Sequence, residues 1–209
     1  MPSERQRHAS PRAASDAEAS PPANGPCEVT AGRPALAGPI KQGLPPILGP
    51  DTRCLILGSF PSEASLAASA YYAHPRNHCW RLLATALSDA PEARVAAPYP
   101  DRVAWLLASG VGLWDVYASC RRTGSLDSAI EDAEPNDLVS LAARAPKLQV
   151  IAHNGGESWR HARLTRAFAS VVLRLPSSSP AAASIPFADK LTAWRAALAA
   201  AGLPVTPAR

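Results

Sequence analysis

Lysine is nearly missing from this chain. Lys41, Lys147 and Lys190 are three of 21 basic residues and the other 18 are Arg, so the net charge of +4 rests mainly on guanidinium groups. Arginine's planar fork suits phosphate oxygens better than an ammonium does, although the joint abundance of Ala, Arg and Pro also fits a coding sequence rich in G and C. Cysteine is scarce too. Cys27, Cys54, Cys79 and Cys120 stand far apart without a C-x-x-C pair, which argues against a zinc site, a disulfide framework or an iron–sulfur cluster. No metal or cofactor is expected. No run reaches the 18 or more apolar residues of a membrane span, and the N-terminus lacks the apolar core of a signal peptide. A cytoplasmic protein with no membrane contact is expected. Neither G-x-G-x-x-G nor G-x-x-x-x-G-K-[ST] occurs, so the common glycine-rich phosphate cradles are excluded.

What remains is room for one domain with a real core: 209 residues, 47% of them hydrophobic. Residues 1–26 are Ser, Pro, Ala, Arg and Glu without apolar period, a composition that cannot bury enough surface to fold. They are expected to form a disordered tail. Residues 27–50 are a Pro- and Gly-rich lead-in expected to lie across the domain, which itself spans 51–209.

From Arg53 onward the pattern alternates. Strands are expected at 53–59, 111–117, 148–154 and 171–175, each a short apolar run suited to burial on both faces. Helices are expected between them. Trp80, Leu83, Ala84 and Leu87 mark one over 77–88, and Val103, Leu106 and Leu107 one over 100–109, stopped by Gly110. Pro135 with Asn136 and Asp137 suggests a helix start for 135–145. Further helices are expected over 157–169 and over 188–201, the last with Leu191, Trp194 and Leu198 aligned. Four strands alternating with helices imply an α/β fold, a three-layer α/β/α arrangement around a short four-stranded parallel sheet.

Two of these strands run into tight Ser- and Pro-rich loops, Gly58-Ser59-Phe60-Pro61 and Pro176-Ser177-Ser178-Ser179-Pro180. Ligands of open α/β sheets sit beyond the carboxyl ends of the strands, so the loops can form opposite lips of one cleft. Gly58 lets the chain turn there, Pro61 stiffens it, and Phe60 offers a surface for a planar ligand. Between them, Tyr71-Tyr72-Ala73-His74-Pro75-Arg76-Asn77 leads into a helix. Asn77 reads either as a helix cap or as a carboxamide that holds water or reads a base edge. His74 reads as structural or as an acid–base group, and Arg76 as a phosphate contact or a solvated side chain. The uncharged hydroxyls and amides of Ser177–Ser179 can approach a phosphate backbone closely. A Ser59/His153/Asp115 hydrolase is the competing chemistry, but the G-x-S-x-G elbow is missing.

The loops in this order resemble the uracil-DNA glycosylase superfamily, and within it the branch of hypoxanthine-DNA (deoxyinosine) glycosylases. The resemblance spans roughly residues 44 to 201. It includes Gly58–Pro61 as the first motif and Leu175–Ala181 as the second. Between them lie Tyr71–Asn77 with Trp80, Gly112–Tyr117 and Gly124–Ser128. It implies a uracil-DNA glycosylase-like fold and removal of deaminated bases from DNA, hypoxanthine first and uracil as the alternative. An abasic site in an intact strand would remain. It assigns catalysis to Asn77 with Ser59 in the place of an acidic residue; the base pocket is expected at Gly58, Phe60, Pro61, Tyr72, Asp115 and Asn154. DNA contact is expected at His74, Arg76, Pro176, Ser177, Ser178 and Ser179. A monomer acting on DNA with deaminated bases is implied. Two positions depart from the pattern: Ser62 replaces a common glycine, and Cys79 stands where Phe is usual. A domain that grips damaged DNA without cleaving it is the rival from another class.

Overall fold

The computed structural model describes residues 39–207; the expected tail, 1–26, lies outside them, as does the first part of the lead-in. In chain order the elements are β1 (Lys41–Gln42), β2 (Cys54–Gly58), α1 (Glu63–Ala67), α2 (Cys79–Leu87), α3 (Pro91–Ala96) and α4 (Tyr99–Ala108). Then come β3 (Val111–Asp115), β4 (Tyr117–Arg121), β5 (Glu131–Pro135), α5 (Leu141–Arg144), β6 (Val150–Asn154), α6 (Gly156–Trp159), α7 (Ala162–Thr165), β7 (Val171–Leu175) and α8 (Phe187–Ala200).

The four expected strands form one parallel sheet in the order β3-β2-β6-β7. Its strands are largely apolar because both faces are covered. Cys54 and Ile56 of β2 enter one core with Leu82, Leu83, Leu106, Trp194 and Leu198 from α2, α4 and α8. Leu55 and Leu57 point the other way, to Trp114, Tyr117, Leu141 and Ile151. Each such leucine contributes roughly 1.5–3 kcal/mol on burial. β2 has β3 on one side and β6 on the other, so the chain reverses its direction of travel between β2 and β6. A crevice opens beyond the carboxyl ends at such a switch point.

Three expectations need correction. The run 111–117 is not one strand: β3 ends at Asp115, and β4 enters a second, antiparallel sheet of order β1-β4-β5 that the apolar pattern does not signal. The segment 135–145 is not one helix. Pro135 pairs with Tyr117 at the end of β5, and Asn136 donates from its backbone to Val116 O and from Nδ2 to Asp115 O. Helical structure therefore starts only at the Asp137 cap, which accepts from Ser140 N. The helix over 157–169 is broken into α6 and α7: Ser158 and Thr165, one on each, bond opposite ring nitrogens of His153 in β6, and His161 between them bonds the Tyr117 hydroxyl. No helix of the described residues is long and apolar enough to cross a membrane.

The described part of the lead-in, residues 39–50, is built into the domain. Lys41–Gln42 pairs with β4, and Ile47 exchanges both backbone hydrogen bonds with Leu113. That crossing passes over Gly112, where a Cβ would come within 2.8 Å of Ile47 O and 3.0 Å of Thr52 Cγ2. Gly112→Ala is expected to destabilise the domain by about 1–3 kcal/mol, the range for overpacking, read as a lowered urea midpoint with an unchanged slope. An unchanged midpoint would show that the lead-in yields without cost.

Candidate active site

The site is built from the carboxyl edge of the parallel sheet. Gly58 and Asp115 are register partners at the ends of β2 and β3, while Asn154 and Leu175 are partners at the ends of β6 and β7. Gly58 is not among the glycines with positive φ. Its requirement is space: a Cβ would overlap Asp115 Oδ1 and stand 3.1 Å from the Tyr72 hydroxyl.

Asn154 joins three loops. Its Oδ1 accepts from Ser178 N at 2.9 Å, and its Nδ2 donates to Ser178 Oγ at 2.9 Å and to the Tyr72 hydroxyl at 3.1 Å. Ser178 is fully buried, and its carbonyl accepts from His78 N at 2.9 Å. The Pro176–Pro180 loop is thereby tied both to β6 and to the segment carrying Asn77. Gly155 lets this happen. Its φ of +108° is one that side chains rarely adopt, and a Cβ would press against Ser177 at 3.2 Å. Tyr72 also holds a positive φ, 54°, unusual for a bulky residue; its hydroxyl bond to Asn154 helps to keep it there.

The first loop is held from the side of the second sheet. Ser59 Oγ donates to Asp127 Oδ1 at 2.6 Å, Arg122 donates to Pro61 O, and the Arg122 guanidinium lies 5.1 Å from the centre of the Phe60 ring. Ser62 caps α1 by accepting from Ser65 N. Asn77 precedes the cap residue of α2, and its Oδ1 accepts from Cys79 N at 2.9 Å. An amide oxygen has a second lone pair, which stays available to a ligand or water.

These pieces enclose a cleft of about 290 Å³. Gly58, Ser59, Phe60, Pro61, Tyr72, Asn77, Asp115, Asn154, Ser177, Ser178 and Ser179 all line it. His74 and Arg76 do not; they line a neighbouring cleft. Pro176 faces α8 through its carbonyl, which accepts from Trp194 Nε1 at 3.2 Å. Asp127, Ser125 and Leu126 line the base of the first loop, and Arg122 braces it. The sequence reading gave these four no role. The Gly124–Ser128 stretch belongs to the resemblance, but its place on the cleft depends on the second sheet, which was not expected.

The competing Ser/His/Asp arrangement is not formed. His153 is fully buried and bonds Ser158 Oγ and Thr165 Oγ1, each at 2.8 Å, while Ser59 bonds Asp127. Burial pushes the His153 imidazole down to about 4, so it stays neutral at pH 7. Among the described residues no group of three or more His, Cys, Asp or Glu is placed to hold a metal ion.

Asp115 dominates the electrostatics. It is 3% exposed, and its Oδ2 has no hydrogen-bond partner among the described residues. Burial, with a smaller push from Asp127 and a partial offset from Arg122, raises its carboxyl from 3.8 to about 7. Asp127 is raised as well, chiefly by burial, against the Ser59 hydrogen bond.

No protein-family model matches the chain. A hypoxanthine DNA glycosylase of Methanosarcina acetivorans is 38% identical over 142 residues, covering 68% of this chain and 88% of the relative. A second, from Methanosarcina barkeri, is 36% identical over 141 residues, covering 68% and 87%. Among solved structures, the solution structure of a candidate uracil DNA glycosylase from Methanosarcina acetivorans is similar with a TM-score of 0.67 at 34% identity. It covers 78% of this chain and 99% of that one.

The raised Asp115 carboxyl has a consequence for stability. Between about pH 4 and pH 7 the folded protein keeps a proton that the unfolded chain has released, so stability falls as pH rises through that window. Asp115→Asn removes the dependence. Thermal melts are expected to show the variant gaining relative to the parent from pH 5 to pH 8, by on the order of 3 kcal/mol at most. Parallel pH profiles for the two proteins would refute the protonated carboxyl.

Proposed function

Because the chain belongs to the hypoxanthine-DNA glycosylase branch of the uracil-DNA glycosylase superfamily, we propose that it hydrolyses the N-glycosidic bond of deoxyinosine in DNA. It releases hypoxanthine and leaves an abasic site. The observation that carries this reading is the meeting of three separate loops around one cleft that holds aromatic rings, two carboxamides and a buried carboxyl raised to about 7.

A base inside a duplex is out of reach, so the nucleotide must be everted, at a cost of a few kcal/mol that is least for a mispaired, deaminated base. In the cleft, Phe60 and Tyr72 bound the purine, Gly58 and Pro61 shape the floor, and Asn154 holds the walls in register. Hypoxanthine presents an acceptor at O6 and a donor at N1. A protonated Asp115 supplies both a donor and an acceptor to that edge.

Cleavage builds negative charge on the departing base and positive charge on the sugar. An ionised carboxylate beside that base would oppose departure; a neutral one that donates a hydrogen bond favours it. Asn77 holds the attacking water on the second lone pair of Oδ1. Ser59 donates its hydroxyl hydrogen bond to Asp127, so its oxygen remains an acceptor toward the same water. No lysine lines the cleft among the described residues, which favours direct hydrolysis over an imine that also nicks the strand. His74, Arg76, Ser177 and Ser179 then contact the DNA backbone, while buried Ser178 and Pro176, turned to α8, hold the loop that presents them. The enzyme works as a cytoplasmic monomer without a cofactor.

Labelled duplexes containing deoxyinosine or uracil, incubated with the protein and then treated with alkali, test the proposal. Strand scission is expected at deoxyinosine, with weaker or no scission at uracil. Asn77→Ala is expected to reduce single-turnover cleavage by at least about a hundredfold, the scale for losing one positioned polar group, while loss of the bond from Cys79 N lowers stability by only about 1 kcal/mol and leaves the protein folded. Scission at uracil alone would move the activity to that base. A mobility shift without scission would identify a binding domain, and full activity of Asn77→Ala would remove the catalytic assignment.

A further inference from the structure

Beside the base cleft runs a second one of about 730 Å³, bounded by the Ala73–Arg81 segment, α3, α4 and the turn after Ser179. The two share Tyr72, Asn77 and Ser179, so they are continuous across the residue assigned to catalysis. Their linings differ in charge. Asp115 and Asp127 stand in the base cleft. The second cleft is lined by Arg76, Arg81 and Arg102, with His74 and His78, and none of its described lining residues is acidic.

These arginines are not balanced within the protein. No ion pair among the described residues engages Arg76, Arg81 or Arg102. Arg102 lies 4.7 Å from the Trp80 ring centre and 5.5 Å from that of Tyr99, and its Nε has no hydrogen-bond partner among the described residues. Arg81 lies 4.3 Å from the Phe187 ring centre. A guanidinium on an aromatic face keeps its N–H edge for a bidentate acceptor, and phosphate oxygens match that fork. The base cleft is lined by no cation and offers phosphates no charged partner, while the basic cleft attracts them. A polyanion that places one unit in the first cleft would therefore continue into the second.

We propose that this second cleft seats the DNA strand on one side of the everted nucleotide, with consecutive phosphodiesters on Arg76, Arg81 and Arg102. The inference rests on the proposed action on DNA and adds a one-sided grip that the base-reading loops do not supply.

The test uses the full chain and a duplex carrying a tetrahydrofuran abasic analogue, with binding followed by fluorescence anisotropy across a potassium chloride series. Arg81→Gln and Arg102→Gln are each expected to weaken binding by roughly fivefold to tenfold, and to lower the slope of log affinity against log salt by about one. Arg163→Gln, exposed on α7 outside both clefts, is expected to leave both values as they are. Methylphosphonates placed on one side of the analogue are expected to reproduce the loss and to add nothing in Arg81→Gln; those on the other side should act additively with it. Arg102→Gln loosens packing on Trp80 and Tyr99, so its melting curve is recorded; Arg81 is exposed and decides the matter alone. Unchanged affinity and slope in Arg81→Gln, or additive losses from both sides, would overturn the grip. Hypoxanthine release is scored separately: its absence beside an intact Arg81 effect would fail the base assignment and leave the grip standing.

Discussion

Asn154 and Ser178 hold each other by backbone and side chain at once, and the site exists because they do. Asn154 ends β6 at the switch point of the parallel sheet, while Ser178 lies in the middle of a loop that follows the edge strand β7. Their two hydrogen bonds, with those from Asn154 to Tyr72 and from His78 to Ser178, close a ring of contacts through three loops distant in sequence. The pair is largely out of water, so each bond left unmade would strand a buried polar group at a cost of about 1–3 kcal/mol. The left-handed turn at Gly155 makes room for that closure.

A second feature follows from placing this ring over the carboxyl edge of a buried sheet. Asp115 sits where β3 ends, with nowhere to point but into the cleft, and its ionised form is opposed by burial and by Asp127. Such a group lowers stability near neutral pH. Such a cost is accepted where chemistry uses a neutral carboxyl, the use proposed for Asp115 beside a base that leaves as an anion. Outside the cleft Arg81 of α2 and Arg102 of α4 line a second cleft without acidic residues among those described. The molecule thus sets a pocket lined by no cation beside a surface lined by arginines.

Much of the frame was legible because the parallel strands are covered on both faces: Cys54–Leu57 and Val150–Ala152 read as unbroken apolar runs. The loops were legible through their unusual Ser and Pro content, and they do meet around one cleft. The second sheet was not. β5 is the polar run Glu131–Pro135, and its pairing depends on Asn136 reaching Asp115 O and Val116 O, partners some twenty residues back. Pro, Asn and Asp signal both a helix start and a turn, and only those partners decide between them. Asp127 and Arg122 were missed for the same reason, since Ser59 and Asp127 are 68 residues apart. The purpose of Gly58 was also misjudged: what it requires is space beside Asp115, not a special turn.

The most direct measurement is a crystal structure with a duplex carrying a fluorinated deoxyinosine that resists hydrolysis. The account predicts the purine everted between Phe60 and the Ser177–Ser179 loop, its six-membered edge within hydrogen-bond reach of Asp115, and Asn77 Oδ1 holding a water toward the sugar. A purine still stacked in the helix, or bound away from Asn77, would contradict it.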